Sequence, residues 1–127
     1  MNLKKPLLRE AIIIPLRKDY IDPVQNVLIV KNSEGRHFLP YESIIRLEAS
    51  SNYTHIYCVE KHIFISRTLK SIEDQLPTVL FVRIHAKHLV NIKFLSSISN
   101  GHLFLSNGEV LKISRARSSQ LKKISIK

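Results

Sequence analysis

Three short segments of this 127-residue chain are rich in polar side chains, and together they carry basic, hydroxyl, amide and imidazole groups. They span residues 50–55, 85–91 and 114–117. Arginine and lysine suit the O6 and N7 atoms of guanine, asparagine suits adenine, and small hydroxyls suit phosphate oxygens. These residue types therefore indicate contacts to nucleic acid. The candidate contact residues are Asn52, Tyr53, Thr54, His55, His85, Lys87, His88, Ser114, Arg115 and Arg117.

Four histidines raise the alternative of a metal site: His55, His62, His85 and His88. The spacing His85-x-x-His88 is ligand-like, but a structural zinc site takes four ligands, usually including cysteines. Cys58 is the only cysteine and no acidic cluster lies nearby, so we expect no metal and no cofactor. His85 is instead expected to support its loop by hydrogen bonding or to contact a phosphate. Cys58 is expected to pack as a small hydrophobic residue, with a redox sensor as the alternative.

The net charge is +10, and the excess is local. Residues 1–36 carry seven basic and four acidic side chains, residues 37–76 four and five, and residues 77–127 nine and one. Such a concentration of positive charge attracts polyanions, of which nucleic acid is the commonest for a small domain. Two alternatives remain open. One is a basic surface that only keeps the protein soluble, and the other is a membrane-binding helix after Arg115.

Length and composition argue against several classes of protein. A chain of this length fits one domain, and its 44% hydrophobic residues are enough for a core. No apolar stretch approaches the roughly 18 residues that a membrane span needs, so we expect a cytoplasmic protein with no membrane partner. No Ser-His-Asp arrangement, carboxylate pair or Gly-rich phosphate loop stands out, and Glu109 is the only acidic residue of residues 77–127. We therefore expect no enzymatic activity.

Hydrophobic patterning predicts an all-β fold, mostly strands with one or two short helices. Residues 53–60 alternate, with Tyr53 and Tyr57 on one face and Thr54 and Ile56 on the other. The predicted strands cover residues 24–31, 36–39, 42–49, 53–60, 63–66, 79–84, 92–98, 103–105 and 110–113.

One helix is predicted between two of these strands. Apolar residues recur at helical spacing from Leu69 to Leu76, Ser66 or Thr68 can cap the helix, and Pro77 stops it. The helix therefore follows directly on the strand that ends at residue 66.

Less regular parts of the chain carry weaker signals. Residues 85–90 are expected to form a short helical turn, and residues 116–124 a weak helix. The Asn107-Gly108 dipeptide predicts a type I′ turn, because both residue types accept positive φ. Residues 1–23, interrupted by prolines, are treated as an arm or an extra edge element that precedes a domain of residues 24–127.

Four sequence blocks, in this order, resemble the LytTR family of bacterial DNA-binding domains. The resemblance covers about residues 24–125. The blocks are Ile45-Arg46-Leu47-Glu48-Ala49 followed by Asn52-Tyr53, then Thr68-Leu69-Lys70-Ser71-Ile72-Glu73-Asp74-Gln75-Leu76, then Phe81-Val82-Arg83-Ile84-His85 followed by Leu89-Val90-Asn91, and finally Ile113-Ser114-Arg115.

The resemblance implies a fold of small packed antiparallel sheets with short helices. It also implies sequence-specific binding of double-stranded DNA by a transcriptional regulator, with loops rather than a recognition helix inserted into successive grooves. Members commonly occupy paired repeat sites, so two copies are expected to meet on DNA as a possible homodimer. Many members carry a receiver or membrane segment as well, and a chain of this length is expected to be a stand-alone module.

Two positions depart from the family's pattern. Ala86-Lys87 stands where members usually have Arg-Ser, so a basic residue is displaced by one position. Ala116 stands where many members have a second basic residue, with Arg117 beyond it. The preferred DNA sequence is therefore expected to differ from that of typical members.

Other interpretations stay open at this point. Tyr53 and Tyr57 share a strand face, which would suit RNA or single-stranded nucleic acid if that face is open. Arg83 is either a DNA contact or a structural ion-pair partner. For Asn91, capping a turn is favoured over contacting DNA.

Overall fold

The computed structural model describes residues 26–124, which form ten strands and two short α-helices. The strands are β1 (Val27–Asn32), β2 (Gly35–Pro40), β3 (Ile44–Ser50), β4 (Tyr53–Cys58), β5 (His62–Ile65), β6 (Phe81–His85), β7 (His88–Asn91), β8 (Leu95–Ser99), β9 (His102–Leu105) and β10 (Val110–Lys112). The helices are α1 (Leu69–Glu73) and α2 (Arg115–Ile124), and 3₁₀ turns cover Tyr41–Ser43 and Ile92–Phe94. The predicted all-β class is confirmed.

The strands form three antiparallel sheets. The central sheet has five strands in the order β5-β4-β3-β7-β6. A two-stranded sheet, β1-β2, and a three-stranded sheet, β10-β9-β8, complete the fold. The predicted alternation along β4 is confirmed, since Thr54 and Ile56 are fully buried while Tyr53 is exposed.

The five-stranded sheet separates two hydrophobic cores. Leu89 belongs to one core and its neighbour Val90 to the other. Because successive side chains of a strand point to opposite faces, the two cores lie on opposite sides of this sheet. The β1-β2 hairpin and α1 cover one side, and the three-stranded sheet and α2 cover the other. Leu121 of α2 is buried in the second of these cores.

The α1 helix follows its sequence signals. The Thr68 hydroxyl accepts a hydrogen bond from the Ser71 amide at 3.2 Å, so Thr68 is the N-cap. The apolar positions Leu69, Ile72 and Leu76 are all buried, as their spacing predicts. The regular helix ends at Glu73, three residues earlier than the apolar repeat.

The prediction of a helical turn at residues 85–90 is wrong. The structure has a tight β6-β7 hairpin there, with Ala86-Lys87 as its turn. Pairing with β3 as well as β6 satisfies the backbone of β7, which a helical turn would leave without partners. The strand predicted over residues 92–98 begins only at Leu95, because a 3₁₀ turn occupies its first residues.

The predicted type I′ turn lies at a different dipeptide. Asn100 and Gly101 join β8 to β9 with φ values of 52° and 77°, the two positive values that this turn type requires. At Asn107-Gly108 only Gly108 has a positive φ, because a longer loop joins β9 to β10 there. The expectations for residues 1–23 lie outside the described residues.

Candidate nucleic-acid interface

The first two predicted polar segments lie at the same end of the five-stranded sheet. Ser51-Asn52 forms the turn between β3 and β4, and Ala86-Lys87 forms the turn between β6 and β7. Strands β3 and β7 are paired, and the Ala49 amide donates to the Lys87 carbonyl at 2.9 Å. The two turns are therefore neighbours.

The third segment joins the same end of the sheet. The Ser114 amide donates to the carbonyl of Ile84, the residue before the end of β6, at 2.9 Å. Arg115 then begins α2. We call this end of the molecule the recognition edge, defined by the turns at residues 51–52 and 86–87 and by residues 114–117. With about 5 Å between neighbouring strands, the recognition edge is a row roughly 20 Å long.

Nine of the ten candidate contact residues keep some exposed surface. Asn52, Tyr53, Lys87 and Arg115 are exposed, and His55, His85, His88, Ser114 and Arg117 are partly buried. No ion pair joins Arg115 or Lys87 to another residue in the part of the chain that the structure describes. These two cationic groups are therefore available to a polyanion.

Thr54 has to be removed from the candidate list. Its side chain is fully buried, and its hydroxyl donates to the Arg67 carbonyl at 2.7 Å. The side chain points into the core because β4 alternates and Tyr53 takes the outward position. Thr54 therefore supports the recognition edge from inside, and its side chain is not available for an outside contact.

Arg83 braces the β6-β7 turn and is not an open contact group. Its guanidinium donates to the carbonyls of His85 at 2.9 Å and Ala86 at 2.7 Å. It also forms an ion pair with Glu73, at the end of α1. The structural interpretation of Arg83 is confirmed. His85 supports the same turn, as one of its two predicted roles requires, because its Nδ1 accepts the Lys87 amide at 3.1 Å.

Asn91 has the structural role favoured from the sequence. Its side chain is fully buried, its amide donates to the carbonyls of Tyr41 and Ile44, and its oxygen accepts the Lys93 amide at 2.8 Å. It therefore caps the 3₁₀ turn that follows β7.

The histidines pair but do not form a larger ligand set. His55 Nδ1 lies 2.8 Å from His62 Nε2, and the rings of His85 and His88 are 5.4 Å apart. Among residues 26–124, no three His, Cys, Asp or Glu side chains converge as metal ligands would. Cys58 is partly buried, and burial raises the pKa of its thiol.

Sequence inspection missed two features of the recognition edge. Arg67 lies beside the β3-β4 turn, because Thr54 pairs with Ile65 and binds the Arg67 carbonyl. Ser51 adopts a φ of 59°, which is uncommon for a residue with a side chain. The pairing of β4 with β5 would have located Arg67, but no sequence signal indicates the strained Ser51.

An ion-pair cluster around the buried Arg46 lies behind the recognition edge. Arg46 binds Glu48 at 2.7 Å and binds both carboxylate oxygens of Glu109, at 2.9 and 3.0 Å. The Arg46 hydrogen bond lowers the pKa of Glu109. At Glu48 burial acts to raise the pKa, but the Arg46 hydrogen bond and the positive charges of Arg46 and the nearby histidines together lower it. Burial lowers the pKa of His88, whose Nδ1 has no hydrogen-bond partner and lies 3.8 Å from Glu48.

These groups predict that acid destabilises the fold in two stages. The pKa values of His88 and His62 are lowered, mainly by burial, so the folded state disfavours their protonation. Their contribution is complete above pH 6.5 and is lost as the pH falls towards the lowered pKa values. Glu48 and Glu109 have pKa values below 4.5 and lose their contribution as the pH falls below 4.5.

Urea denaturation over a series of pH values measures both stages. The variant His88→Gln should show a weaker first stage and keep most of the second stage, because Arg46 is the main cause that lowers the pKa values of Glu48 and Glu109. If His88→Gln shows the same dependence on pH as the parent above pH 4.5, the assignment of the first stage to His88 is wrong.

The fold and this edge define a class of protein: a β domain that presents separate polar turns and free cations in one row. Comparison with known proteins identifies the family. The model of the LytTr DNA-binding domain family matches residues 34–125, so the chain belongs to that family. No helix in residues 26–124 has the length and apolar character to cross a membrane.

Individual relatives agree with this assignment. The chain is 28% identical over 95 residues to the sensory transduction protein LytR of Staphylococcus epidermidis, and 25% identical over 105 residues to the sensory transduction protein LytT of Bacillus subtilis. These alignments cover 72% and 79% of the chain but only 38% and 44% of the relatives. The LytTr DNA-binding domain of a Bacillus cereus protein matches with a TM-score of 0.67 and 25% identity, covering 78% of this chain and 95% of that one.

Proposed function

We propose that this chain binds double-stranded DNA sequence-specifically as part of a bacterial transcriptional regulator. The observation that carries the proposal is the convergence of three separate polar segments on one edge. A row of about 20 Å exceeds the width of the major groove, about 12 Å, so the segments contact more than one groove or phosphate row. No recognition helix is needed.

Along this row, some residues are suited to contact base edges and others to contact phosphates. Arg115 and Lys87 are exposed, cationic and long enough to contact base edges, and Asn52 suits adenine. The partly buried groups, Ser114 and Arg117 among them, suit phosphate contacts that position the domain. Lys87 stands one position beyond the basic residue common in the family, so it contacts a different base or phosphate.

The proposal includes paired sites on the DNA. One row covers about one helical turn at most, so a single copy reads few base pairs. Two copies on repeats spaced by roughly 10 bp would double that number and bring the domains together as a homodimer on DNA. A cytoplasmic location follows for a protein that acts on bacterial DNA, with no membrane partner and no cofactor.

An open aromatic surface favours single-stranded nucleic acid as the second candidate. Tyr53 stacks on Phe64 at 5.0 Å, and the stack continues through His55 and His62 to Tyr57. Such rings can stack unpaired bases. However, the residues 37–76 that supply this surface have four basic and five acidic side chains, so they attract a phosphate backbone weakly. We therefore favour duplex DNA at the recognition edge.

Competition at fixed salt distinguishes the two candidates. Fragments selected from a random duplex library serve as the labelled ligand, and unlabelled duplex, single strand of the same sequence and RNA serve as competitors. We expect the matched duplex to compete best, and footprints to show two protected stretches about one turn apart. Stronger competition by single strand or RNA that is lost in Phe64→Ala would support the second candidate instead.

A further inference from the structure

Strand β10 is attached to the five-stranded sheet at both ends. Glu109, the residue before β10, binds Arg46 of β3. Ser114, two residues after the end of β10, donates its amide to Ile84 of β6. Arg115 follows directly, so its backbone position depends on how β10 is held.

All three guanidinium nitrogens of Arg46 take part in this attachment. Its side chain is only 9% exposed, and its Nε and one terminal nitrogen bind the two carboxylate oxygens of Glu109. Another terminal nitrogen binds Glu48, and the guanidinium lies 4.2 Å from the Tyr57 ring centroid. A guanidinium with bidentate and planar partners is held in one orientation.

Hydrogen bonds from Asn107 hold Glu109 in place for this pairing. Asn107 donates its side-chain amide to Glu109 at 3.0 Å and accepts the Glu109 backbone amide at 2.9 Å. Glu109 is also the only acidic residue among residues 77–127. The one negative charge of a strongly basic region is thus used in a contact between two sheets.

We propose that Arg46 and Glu109 are positioning residues of the DNA interface. Their ion pair sets the place of Arg115 relative to the β3-β4 and β6-β7 turns, because β3 carries the first turn and pairs with β7. This inference rests on the proposed function, since it concerns how the parts of the recognition edge are aligned to contact DNA together. Neither residue contacts DNA itself in this proposal.

The direction in which Glu109→Gln changes the affinity for duplex DNA distinguishes a positioning role from a purely electrostatic one. Arg46 is four residues from the end of β3, so Glu109 lies about 13 Å from the recognition edge, beyond the Debye length of about 8 Å at physiological salt. Loss of its negative charge alone would leave DNA affinity unchanged or slightly raised. If Glu109 positions Arg115, affinity for the preferred duplex falls, by about tenfold.

A second variant and a matched control accompany this measurement. Arg46→Met should lower affinity similarly, and the double variant Arg46→Met with Glu109→Gln should lose no more than the worse single one, because both remove one contact. Glu60→Gln removes the same charge at the opposite end of β4 and should bind as the parent does. Melting temperatures show whether each variant is folded at the temperature of the assay.

Coupling to the contact residues gives the decisive result. Glu109→Gln should have little effect in an Arg115→Ala background, because the group it positions is gone. In a Lys87→Ala background, Glu109→Gln should keep its full effect on affinity. Lys87 lies in the β6-β7 turn of the five-stranded sheet, and the Arg46–Glu109 pair does not position it. A merely structural role would lower the melting temperature and affect both backgrounds equally.

The outcomes are distinguishable. If the parent binds no duplex, the proposed function fails and so does this inference. If the parent binds duplex DNA but folded Glu109→Gln binds it as well or better, or shows equal coupling to both backgrounds, only the positioning role is overturned.

Discussion

The affinity for duplex DNA is expected to fall by about a thousandfold between 50 and 200 mM salt. Lys and Arg displace condensed counterions, and neutralisation of about six phosphates gives a slope near −5 for log K against log salt. Residues 77–127 supply nine basic side chains and one acidic one. The structure places Lys87, Arg115 and Arg117 of this region at the recognition edge.

Single lysine variants test where this salt dependence arises. Lys87→Ala should reduce the slope by about one or less, because one phosphate contact or its equivalent is lost. Lys61→Ala changes an exposed lysine at the opposite end of β4 and should leave the slope as it is. A flat salt response in the parent would contradict nucleic-acid binding itself, and equal effects of the two variants would contradict the recognition edge.

Arg115→Ala is expected to cost about 1–3 kcal/mol of binding free energy on the preferred duplex and to relax the preference at one base pair. Arg115 is exposed, begins α2 and lies next to β6, and its guanidinium can bind guanine O6 and N7 together. The contrasting variant is Lys122→Ala, in the same helix. It should weaken all duplexes about equally and lower the salt slope by about one or less.

A structural alternative for Arg115 is an ion pair with an acidic residue such as Glu48. Glu48 binds Arg46 instead, so Arg115→Ala should keep the melting temperature of the parent. Binding of matched and mismatched duplexes, measured beside the melting temperature, tests this directly. If folded Arg115→Ala binds every duplex as the parent does, the assignment of residues 114–117 to DNA is wrong.

Local sequence signals predicted elements well where one interaction decides the structure. The β4 alternation gave its buried face, and the Thr68 cap with its apolar repeat gave α1. Local sequence signals failed where the same residues are compatible with two local backbone structures. Residues 85–90 have a pattern compatible with a turn of helix, and only pairing of β7 with both β3 and β6 selects the hairpin. Asn-Gly occurs twice, at residues 100–101 and 107–108, and only Asn100-Gly101 has the two positive φ values of a type I′ turn, because the loop between β9 and β10 is longer.

The candidate site divides in the same way. Its residue types, the positive charge of residues 77–127 and the order of the four family blocks are properties of the sequence, and they were sufficient to predict a DNA-binding domain of this family. Which side chains are available was decided by the tertiary structure. Thr54 is buried, Arg83 braces a turn, and the guanidinium of Arg67, beside the edge, donates to the Ser71 carbonyl. The pairing of Arg46 with Glu109, 63 residues apart, also follows from how the sheets pack. Periodicity and charge report on near neighbours in the chain, but a contact between sheets depends on their relative placement, which no local pattern encodes.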